Sequence, residues 1–161
     1  MSIRGYLPKD YDQVIELFRA LPELFTKRSI NNIERDLKDC ELDNSRNTIG
    51  CSVYCRKDNV LGAIIYCRDC AGDKVFELKW LAVKRENWYN GIGYRLMLHA
   101  ENLLREKARL IIFYTSNTPI WDSTKKFFRK IGYQDVAVIP DFWDDGDDRV
   151  VFWKRVKPIF K

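Results

Sequence analysis

The chain of 161 residues is 46% hydrophobic and 14% aromatic, so it suits a single globular domain over residues 1–161 with a substantial core. Its 28 basic and 23 acidic residues give a net charge of +5 but are spread along the chain, which argues against a dedicated nucleic-acid-binding segment. No apolar run approaches the roughly 18 residues of a membrane-spanning helix and no signal-like segment is visible, so we expect a cytoplasmic protein that does not contact membranes.

The first half of the chain alternates between strand-like and helix-like patterns. After a short strand at residues 2–6, apolar residues recur at helical spacing from Val14 to Leu21 and predict an amphipathic helix. A second helix is predicted over residues 29–40, with Ser29 as a candidate N-cap. Strands are then predicted over residues 48–56, 60–68 and 74–83, and a hairpin turn joins the first two.

The second half continues the alternation. A long helix is predicted over residues 91–107, and its buried stripe consists of Ile92, Leu96, Ala100, Leu103 and Leu104. The apolar run at 109–115 predicts a buried strand, and a further helix is expected between Pro119 and Gly132, a natural left-handed C-cap. Strands near 133–139 and 149–156 follow. The order βααβββαβαββ predicts a mixed sheet with helices packed against it.

Five cysteines leave two interpretations open. The pairs Cys51/Cys55 and Cys67/Cys70 have C-x3-C and C-x2-C spacing, which would make a zinc site if all four sulfurs converged. A one-residue change in hairpin register moves Cys67 to or from the face that carries Cys51 and Cys55, so the sequence alone does not decide. Free cysteine more commonly packs as a small buried hydrophobe, and we therefore predict no metal site.

The segment WYNGIGYRL at residues 88–96 lies between a predicted strand and the long helix. Gly91 and Gly93 would let backbone N–H groups approach a pyrophosphate, and the helix N-terminus adds about half a positive charge. On spacing alone, glycines that merely cap the helix are an equally good interpretation. A Rossmann dinucleotide site is disfavoured because Leu96 stands where the third glycine of G-x-G-x-x-G would be.

The run FELKWLAV at 76–83, followed by YNGIG and a long helix, resembles the central motif Q/R-x-x-G-x-G/A of the GNAT superfamily of N-acetyltransferases. Trp88 stands at the first position of this motif, and Gly91 and Gly93 stand at its two small positions. KKFFRKIGY at 125–133 is similar to the family's later helix with its F-Y-x-x-x-G-F ending. IPDFWDDGDDRVVFWKRV resembles the closing hairpin of one bacterial branch. The resemblance covers essentially the whole chain.

This resemblance implies a GNAT-like α/β fold with a mixed, mostly antiparallel sheet of about seven strands and helices on both faces. The sheet would be splayed between its fourth and fifth strands and would hold acetyl-CoA as co-substrate. Backbone groups of Leu81 and Val83, with Ala82 between them, would contact the pantetheine arm, and Phe128 would lie near the CoA sulfur. The residues implied to hold the pyrophosphate are Trp88, Tyr89, Asn90, Gly91, Ile92, Gly93 and Tyr94.

Two residues depart from the family pattern. Trp88 replaces the usual Gln or Arg, which removes a polar side chain at the loop entrance but leaves the main-chain N–H groups. Phe128 replaces a tyrosine that in much of the family can protonate the CoA sulfur, and a phenyl ring cannot donate a proton. Tyr114, at the end of the buried strand, is our candidate substitute, although strand tyrosines usually only pack.

Glu77 is the candidate general base. It lies six residues before Val83, where several family members keep a glutamate that deprotonates the amine, and a lysine-like amine is mostly protonated at pH 7. The alternative is an exposed strand glutamate paired with Lys79 or Lys74. The single histidine, His99, lies in the middle of a helix and is expected to pack or contact solvent rather than catalyse.

The acceptor is the least defined part of the prediction. Residues 141–148 combine five carboxylates with two aromatic rings, which could attract a cationic amine, but a solvated hairpin turn around Gly146 is favoured. We expect an enzyme, monomeric or homodimeric, that transfers acetyl from acetyl-CoA to a primary amine of a small molecule or peptide, directly within a ternary complex. The open alternative is a catalytically weak or inactive CoA-binding sensor or interaction module, which Trp88 and Phe128 would allow.

Overall fold

The predicted elements occur in the predicted order within residues 1–43 and 48–156, which a computed structural model describes. The strands are β1 (Ser2–Gly5), β2 (Ile49–Arg56), β3 (Asn59–Arg68), β4 (Val75–Val83), β5 (Leu110–Ser116), β6 (Gln134–Asp144) and β7 (Asp147–Arg155). The α-helices are α1 (Tyr11–Arg19), α2 (Lys27–Leu42), α3 (Ile92–Leu104) and α4 (Asp122–Lys130). Short 3-10 helices cover Pro8–Asp10, Arg85–Asn87 and Pro119–Trp121.

The strand order of the seven-stranded sheet is β1-β2-β3-β4-β5-β7-β6. The pairs β1–β2, β2–β3, β5–β7 and β6–β7 are antiparallel, whereas β4 and β5 run parallel where Val75 pairs with Leu110 and Glu77 pairs with Ile112. A mostly antiparallel sheet with four α-helices confirms the predicted fold class. No helix within residues 1–43 and 48–156 is long and apolar enough to cross a membrane.

The chain folds as two compact units. Unit 1 comprises Met1–Arg68 and Leu78–Leu104, and unit 2 comprises Asp69–Glu77 and the chain from Arg105 onward. β4 therefore contributes residues 75–77 to unit 2 and residues 78–83 to unit 1. That residues 1–161 form one domain stays a prediction.

The core of unit 1 forms where helices pack on β3, in which residues 60–65 are all buried. An alternating strand pattern would expose one face, so this continuous apolar run indicates cover on both faces, which α1 and α3 provide. Gly62 allows α3 to come close: a Cβ there would lie 3.0 Å from Leu96 Cδ1 and 3.1 Å from Ile92 Cγ2. An alanine at residue 62 would require its neighbours to shift by a few tenths of an ångström.

Two local details of unit 1 differ from the sequence prediction. The N-cap of α2 is Thr26 rather than Ser29, because the Thr26 Oγ1 accepts the Ser29 backbone N–H at 3.2 Å and the helix begins two residues earlier than predicted. In α3, Leu103 is 46% exposed, whereas Met97 is buried. Leu103 lies at the edge of the apolar stripe in the last turn, where the helix ends three residues earlier than predicted.

The core of unit 2 is an aromatic cluster between the sheet and α4. Phe113 of β5 stacks on Phe152 of β7 with ring centroids 4.8 Å apart, and Phe128 of α4 and Tyr133 pack against the same ring at 3.9 and 5.3 Å. Gly132 has the left-handed φ of +94° expected of a helix C-cap, which confirms that part of the prediction. It directs Tyr133 back onto the cluster, where it is buried.

Asp10 anchors the start of unit 1, and its removal should destabilise the fold. The buried carboxylate accepts two hydrogen bonds from Arg4, at 2.6 and 2.9 Å, and one from the Leu7 backbone N–H at 2.9 Å. Because Asp10→Asn leaves a partly buried guanidinium without its partner, we expect the free energy of unfolding at pH 7 to fall by about 2–4 kcal/mol. Urea denaturation measures this change.

The pH dependence and a surface control sharpen this test. The Arg4 hydrogen bonds hold the pKa of Asp10 below its usual value, so its stabilisation is present above the unfolded pKa of about 4 and is lost as the pH falls through the folded pKa. The difference between wild type and Asp10→Asn should therefore shrink in acid. Asp58→Asn, which removes a fully exposed ion pair with Lys9, should cost less than about 0.5 kcal/mol. Equal losses for both variants would contradict the argument.

Candidate active site

The loop between β4 and α3 reverses direction through two left-handed residues. Tyr89 has φ +62° and Gly91 has φ +75°, and both residues are exposed. A tyrosine is strained in the left-handed region, so the surrounding chain must hold residue 89 in this conformation. A glycine adopts the same region without strain, so residue 91 needs no such support. The backbone between β4 and α3 thus has a defined shape that few other sequences would adopt.

Gly91 stands directly before the first turn of α3, in open space. A Cβ at residue 91 would have no heavy atom of the described chain within 4 Å. The first helical hydrogen bond runs from the Arg95 N–H to the Gly91 carbonyl, so the N–H groups of Ile92, Gly93 and Tyr94 have no acceptor inside the helix. Three outward N–H groups at the positive end of a 13-residue helix beside an unobstructed glycine fit a phosphate group.

Trp88 braces this loop from inside. Its indole Nε1–H donates to the Val83 carbonyl at 2.7 Å, and the Arg85 guanidinium lies 4.9 Å from the ring centre. Arg85 in turn forms an ion pair with Glu23. The side chain that replaces the family's Gln or Arg therefore ties the end of β4 to the start of the loop, and a polar side chain of another shape would not make both contacts.

A pocket of about 400 Å³ in unit 1 lies beside this loop. One wall comes from α1 and the two residues that follow it, and the other comes from the residues that follow β4. The charged residues that line it are Asp12, Glu16, Lys84, Arg85 and Glu86. The wall formed by the loop carries two basic residues and one acidic residue, and the α1 wall carries two acidic residues.

The middle of β4 is fixed to α2 by a buried carboxylate. Asp36 is 3% exposed and accepts hydrogen bonds from Lys79 Nζ and Trp80 Nε1, each at 2.6 Å. One carboxylate of α2 therefore holds two successive residues of β4. Lys79 forms its ion pair with Asp36.

Unit 2 places Glu77 and Tyr114 on one face of the sheet. Glu77 pairs with Ile112 of β5, and Tyr114 lies two residues farther along that strand, on the same face as Ile112. Tyr114 pairs with Val151 of β7, so Arg149, two residues before Val151, belongs to this face as well. The opposite face carries the aromatic core, and both candidate catalytic residues are half-buried.

The surroundings of Tyr114 keep its hydroxyl protonated. Burial raises the pKa of Tyr114 above its usual value; the positive charge of Arg149 acts in the opposite direction, and the negative charge of Glu77 raises the pKa further. The Arg149 guanidinium lies only 3.3 Å from the centre of the tyrosine ring. The structure therefore brings together the predicted base, the predicted proton donor and a cation that the sequence did not single out.

A model of the GNAT acetyltransferase domain matches residues 47–135, which is more than half of the chain. The chain belongs to the GNAT acetyltransferase family. This confirms the family that the resemblance indicated. A search of curated proteins found no match.

Solved GNAT structures have the same fold as this chain. A GNAT-family protein from Desulfovibrio desulfuricans superposes with a TM-score of 0.89 at 21% identity and covers 97% of this chain and 99% of its own. An aminoglycoside 6'-N-acetyltransferase complexed with coenzyme A gives 0.78 at 21% identity and full coverage of both chains. A ribosomal-protein-alanine N-acetyltransferase from Brucella melitensis gives 0.78 at 16% identity and covers 96% of this chain and 99% of its own. At these identities the likeness establishes the fold alone.

Phe128, the second departure of this GNAT chain from its family pattern, belongs to the core of unit 2. It is 6% exposed and contacts four aromatic rings within the described residues: Phe113, Phe127, Tyr133 and Phe152. Its predicted contact with the cofactor stays a prediction, as do the predicted cofactor contacts of residues 81–83 and 88–94. A ring in this position cannot supply a proton, so the question of the proton donor moves to Tyr114.

The acidic segment is part of the β6–β7 hairpin. The two strands extend to Asp144 and Asp147, which pair across the turn at Gly146, where φ is +78°. The Asp141 carboxylate accepts the Gly146 N–H at 2.8 Å, and Asp148 accepts the Asp141 N–H at 3.2 Å. The segment therefore forms the hairpin turn around Gly146 that was the favoured interpretation. Two of its carboxylates, those of Asp141 and Asp148, accept hydrogen bonds from backbone N–H groups within the hairpin.

The cysteines and the histidine are distributed over several elements: Cys40 lies on α2, Cys51 and Cys55 on β2, Cys67 on β3 and His99 on α3. Cys51 and Cys55 are buried, Cys70 is exposed, and burial raises the pKa of the Cys40 thiol to about 12. Across residues 1–43 and 48–156, no group of three or more His, Cys, Asp or Glu side chains could hold a metal ion. His99 is half-buried in α3, and burial lowers its pKa.

Proposed function

We propose that this GNAT protein transfers the acetyl group of acetyl-CoA to a primary amine by direct attack within a ternary complex. The observation that carries the proposal is the open, left-handed Gly91 immediately before the unpaired N–H groups of α3 in a chain of this family. Those groups and the backbone of residues 88–94 would hold the pyrophosphate of the co-substrate. Backbone groups of residues 81–83 would hold its pantetheine arm.

The proposed chemistry needs a base and an acid from the protein. Glu77 would take a proton from the acceptor ammonium, directly or through a water molecule, because only the neutral amine has a lone pair with which to attack the thioester carbon. Attack forms the C–N bond and a tetrahedral oxyanion, which a backbone N–H near Leu81–Val83 would stabilise. Collapse of this intermediate breaks the C–S bond, and the nitrogen loses its second proton to solvent. The departing sulfur would accept a proton from Tyr114, whose raised pKa keeps that proton available at neutral pH.

Acetyl transfer to a panel of primary amines tests the proposal. Free thiol released from acetyl-CoA should rise only when an amine is present, and mass spectrometry should find the amine heavier by one acetyl group. Acetyl-CoA should also quench tryptophan fluorescence, since Trp88 belongs to the proposed pyrophosphate loop. Saturable acetyl-CoA binding without turnover on any amine would overturn the proposed reaction.

That outcome would favour the second candidate, a CoA-binding module without turnover. The observation that supports it is the core position of Phe128, which leaves the family's proton-donor position without a hydroxyl. Both candidates require acetyl-CoA binding, so binding does not separate them. Only the enzyme requires Glu77, so the effect of Glu77→Gln on thiol release separates the two.

A further inference from the structure

We infer that Arg149 binds a carboxylate of the acceptor, so that the amine acetylated by this protein is an α-amino acid or a closely similar zwitterion. This inference rests on the proposed function and names its substrate class. The observation behind it is a guanidinium that is held between aromatic rings on the face of unit 2 that carries Glu77 and Tyr114.

Aromatic rings position the guanidinium but do not neutralise it. Arg149 lies 3.3 Å from the Tyr114 ring centre, 4.4 Å from that of Phe142 and 5.8 Å from that of Trp143. Stacking of this kind contributes about 0.5–2 kcal/mol and restrains the plane of the group without supplying a negative charge. The arginine is therefore preorganised to bind a planar anion.

Arg149 forms no ion pair with a carboxylate of the described chain. Five aspartates occur within eight residues of it, yet none of the ion pairs within residues 1–43 and 48–156 involves Arg149. Its Nε atom is buried and has no hydrogen-bond partner. Burying part of a cation without a counter-charge costs free energy, and a carboxylate bound through two parallel hydrogen bonds would recover it.

Neighbouring atoms on the same face of β7 are also buried without partners. These atoms are Asp147 Oδ1 and Trp153 Nε1. Asp147, Arg149 and Trp153 lie on one face of β7, and the buried core residues Val150 and Phe152 lie on the other face. Three of the four such atoms in the described chain therefore lie on one face of one strand. Since two are donors and one is an acceptor, a ligand that carries both charges suits this face better than a simple cation.

The pairing of charges suits a short zwitterion. The guanidinium lies over Tyr114, and Glu77 is the diagonal neighbour of Tyr114 across the β4–β5 pair. The carboxylate of Glu77 and the guanidinium of Arg149 therefore belong to neighbouring side chains on one face of unit 2. An α-amino acid carries an ammonium and a carboxylate that can each form a charge-assisted hydrogen bond. Its ammonium would meet Glu77 while its carboxylate meets Arg149.

The test compares α-amino acids with their own carboxamides as acceptors, in the wild-type protein and in Arg149→Gln. We expect wild-type kcat/KM to be at least 10-fold higher for the acid of each pair. Arg149→Gln should lower kcat/KM at least 10-fold for the acid, mainly through KM, and less than 3-fold for the carboxamide. The ratio of kcat/KM for the acid to kcat/KM for its carboxamide is compared between the two proteins. The intrinsic reactivity of each amine is the same in both proteins and cancels in this comparison.

Arg149→Lys and acetyl-CoA binding are the controls. The lysine variant keeps the charge without the planar edge, so its preference should lie between those of wild type and Arg149→Gln. Unchanged acetyl-CoA affinity and melting temperature establish that each variant is folded. Turnover of acids and carboxamides with the same ratio in all three proteins would overturn the inference and leave the acetyltransferase proposal intact. Absence of turnover on every amine despite acetyl-CoA binding would overturn both.

Discussion

Replacing Glu77 by glutamine should lower kcat for amine acetylation by about 10²–10⁴-fold at pH 7, the range typical of a lost general base. The amide keeps the size of the side chain but cannot accept the proton of an ammonium. Acetyl-CoA affinity should change little, because the proposed cofactor contacts lie in residues 81–83 and 88–94. Steady-state thiol release and fluorescence titration with acetyl-CoA measure the two quantities separately.

The acceptor's own pKa provides a second readout for the Glu77 variant. An amine whose pKa lies below the assay pH is already neutral and needs no base, so the defect of Glu77→Gln should shrink for such amines and at higher pH. Glu106→Gln is the matched control, since Glu106 is exposed and lies outside every site described above. Full activity in Glu77→Gln on a high-pKa amine at pH 7 would remove Glu77 from the mechanism.

Replacing Gly91 by aspartate should weaken acetyl-CoA binding by roughly 10–100-fold, the effect of one added negative charge about 4–5 Å from a phosphate in partly screened surroundings. The folded protein should lose only about 1 kcal/mol of stability, because open space surrounds residue 91 and the main cost is its left-handed backbone. Calorimetric titration with acetyl-CoA and urea denaturation measure the two effects.

Gly91→Asn separates charge from shape. Asparagine has the size of aspartate and tolerates left-handed backbone about as well, so both variants should have similar stability. Asparagine should retain most of the affinity that aspartate loses, and the difference should narrow as salt is added. Equal affinity of the two variants would mean that no phosphate approaches Gly91.

Much of the fold could be predicted because its signals are local. The hydrophobic periods of 2 and 3.6 predicted each strand and helix in order, with strand starts within two residues, and Gly132 and Gly146 occupy the turns expected of them. The largest error at a strand end was in β6, where the predicted loop is mostly strand. Its aspartates lower strand propensity, and of the added residues only Asp144 has a partner in the β6–β7 register, beyond an irregularity that follows Ile139.

The candidate site divides differently. Gly91, Glu77 and Tyr114 could be singled out from the sequence because motif spacing and family resemblance depend on positions along the chain. The bond from Trp88 to Val83, the Asp36 contact with Lys79 and Trp80, and the ring contacts of Arg149 could not.

The sequence by itself predicted the order of elements from residue type and spacing, and its resemblance to the GNAT superfamily indicated the family and the candidate pyrophosphate loop. Only the tertiary structure decided which charges meet. Asp36 contacts residues more than 40 positions away, and Arg149 contacts Tyr114, 35 positions earlier, because strand pairing and helix packing bring them together. Hydrogen bonds and ring contacts act over a few ångströms. No local pattern in the chain therefore records them, and the proposed acceptor specificity depends on such contacts.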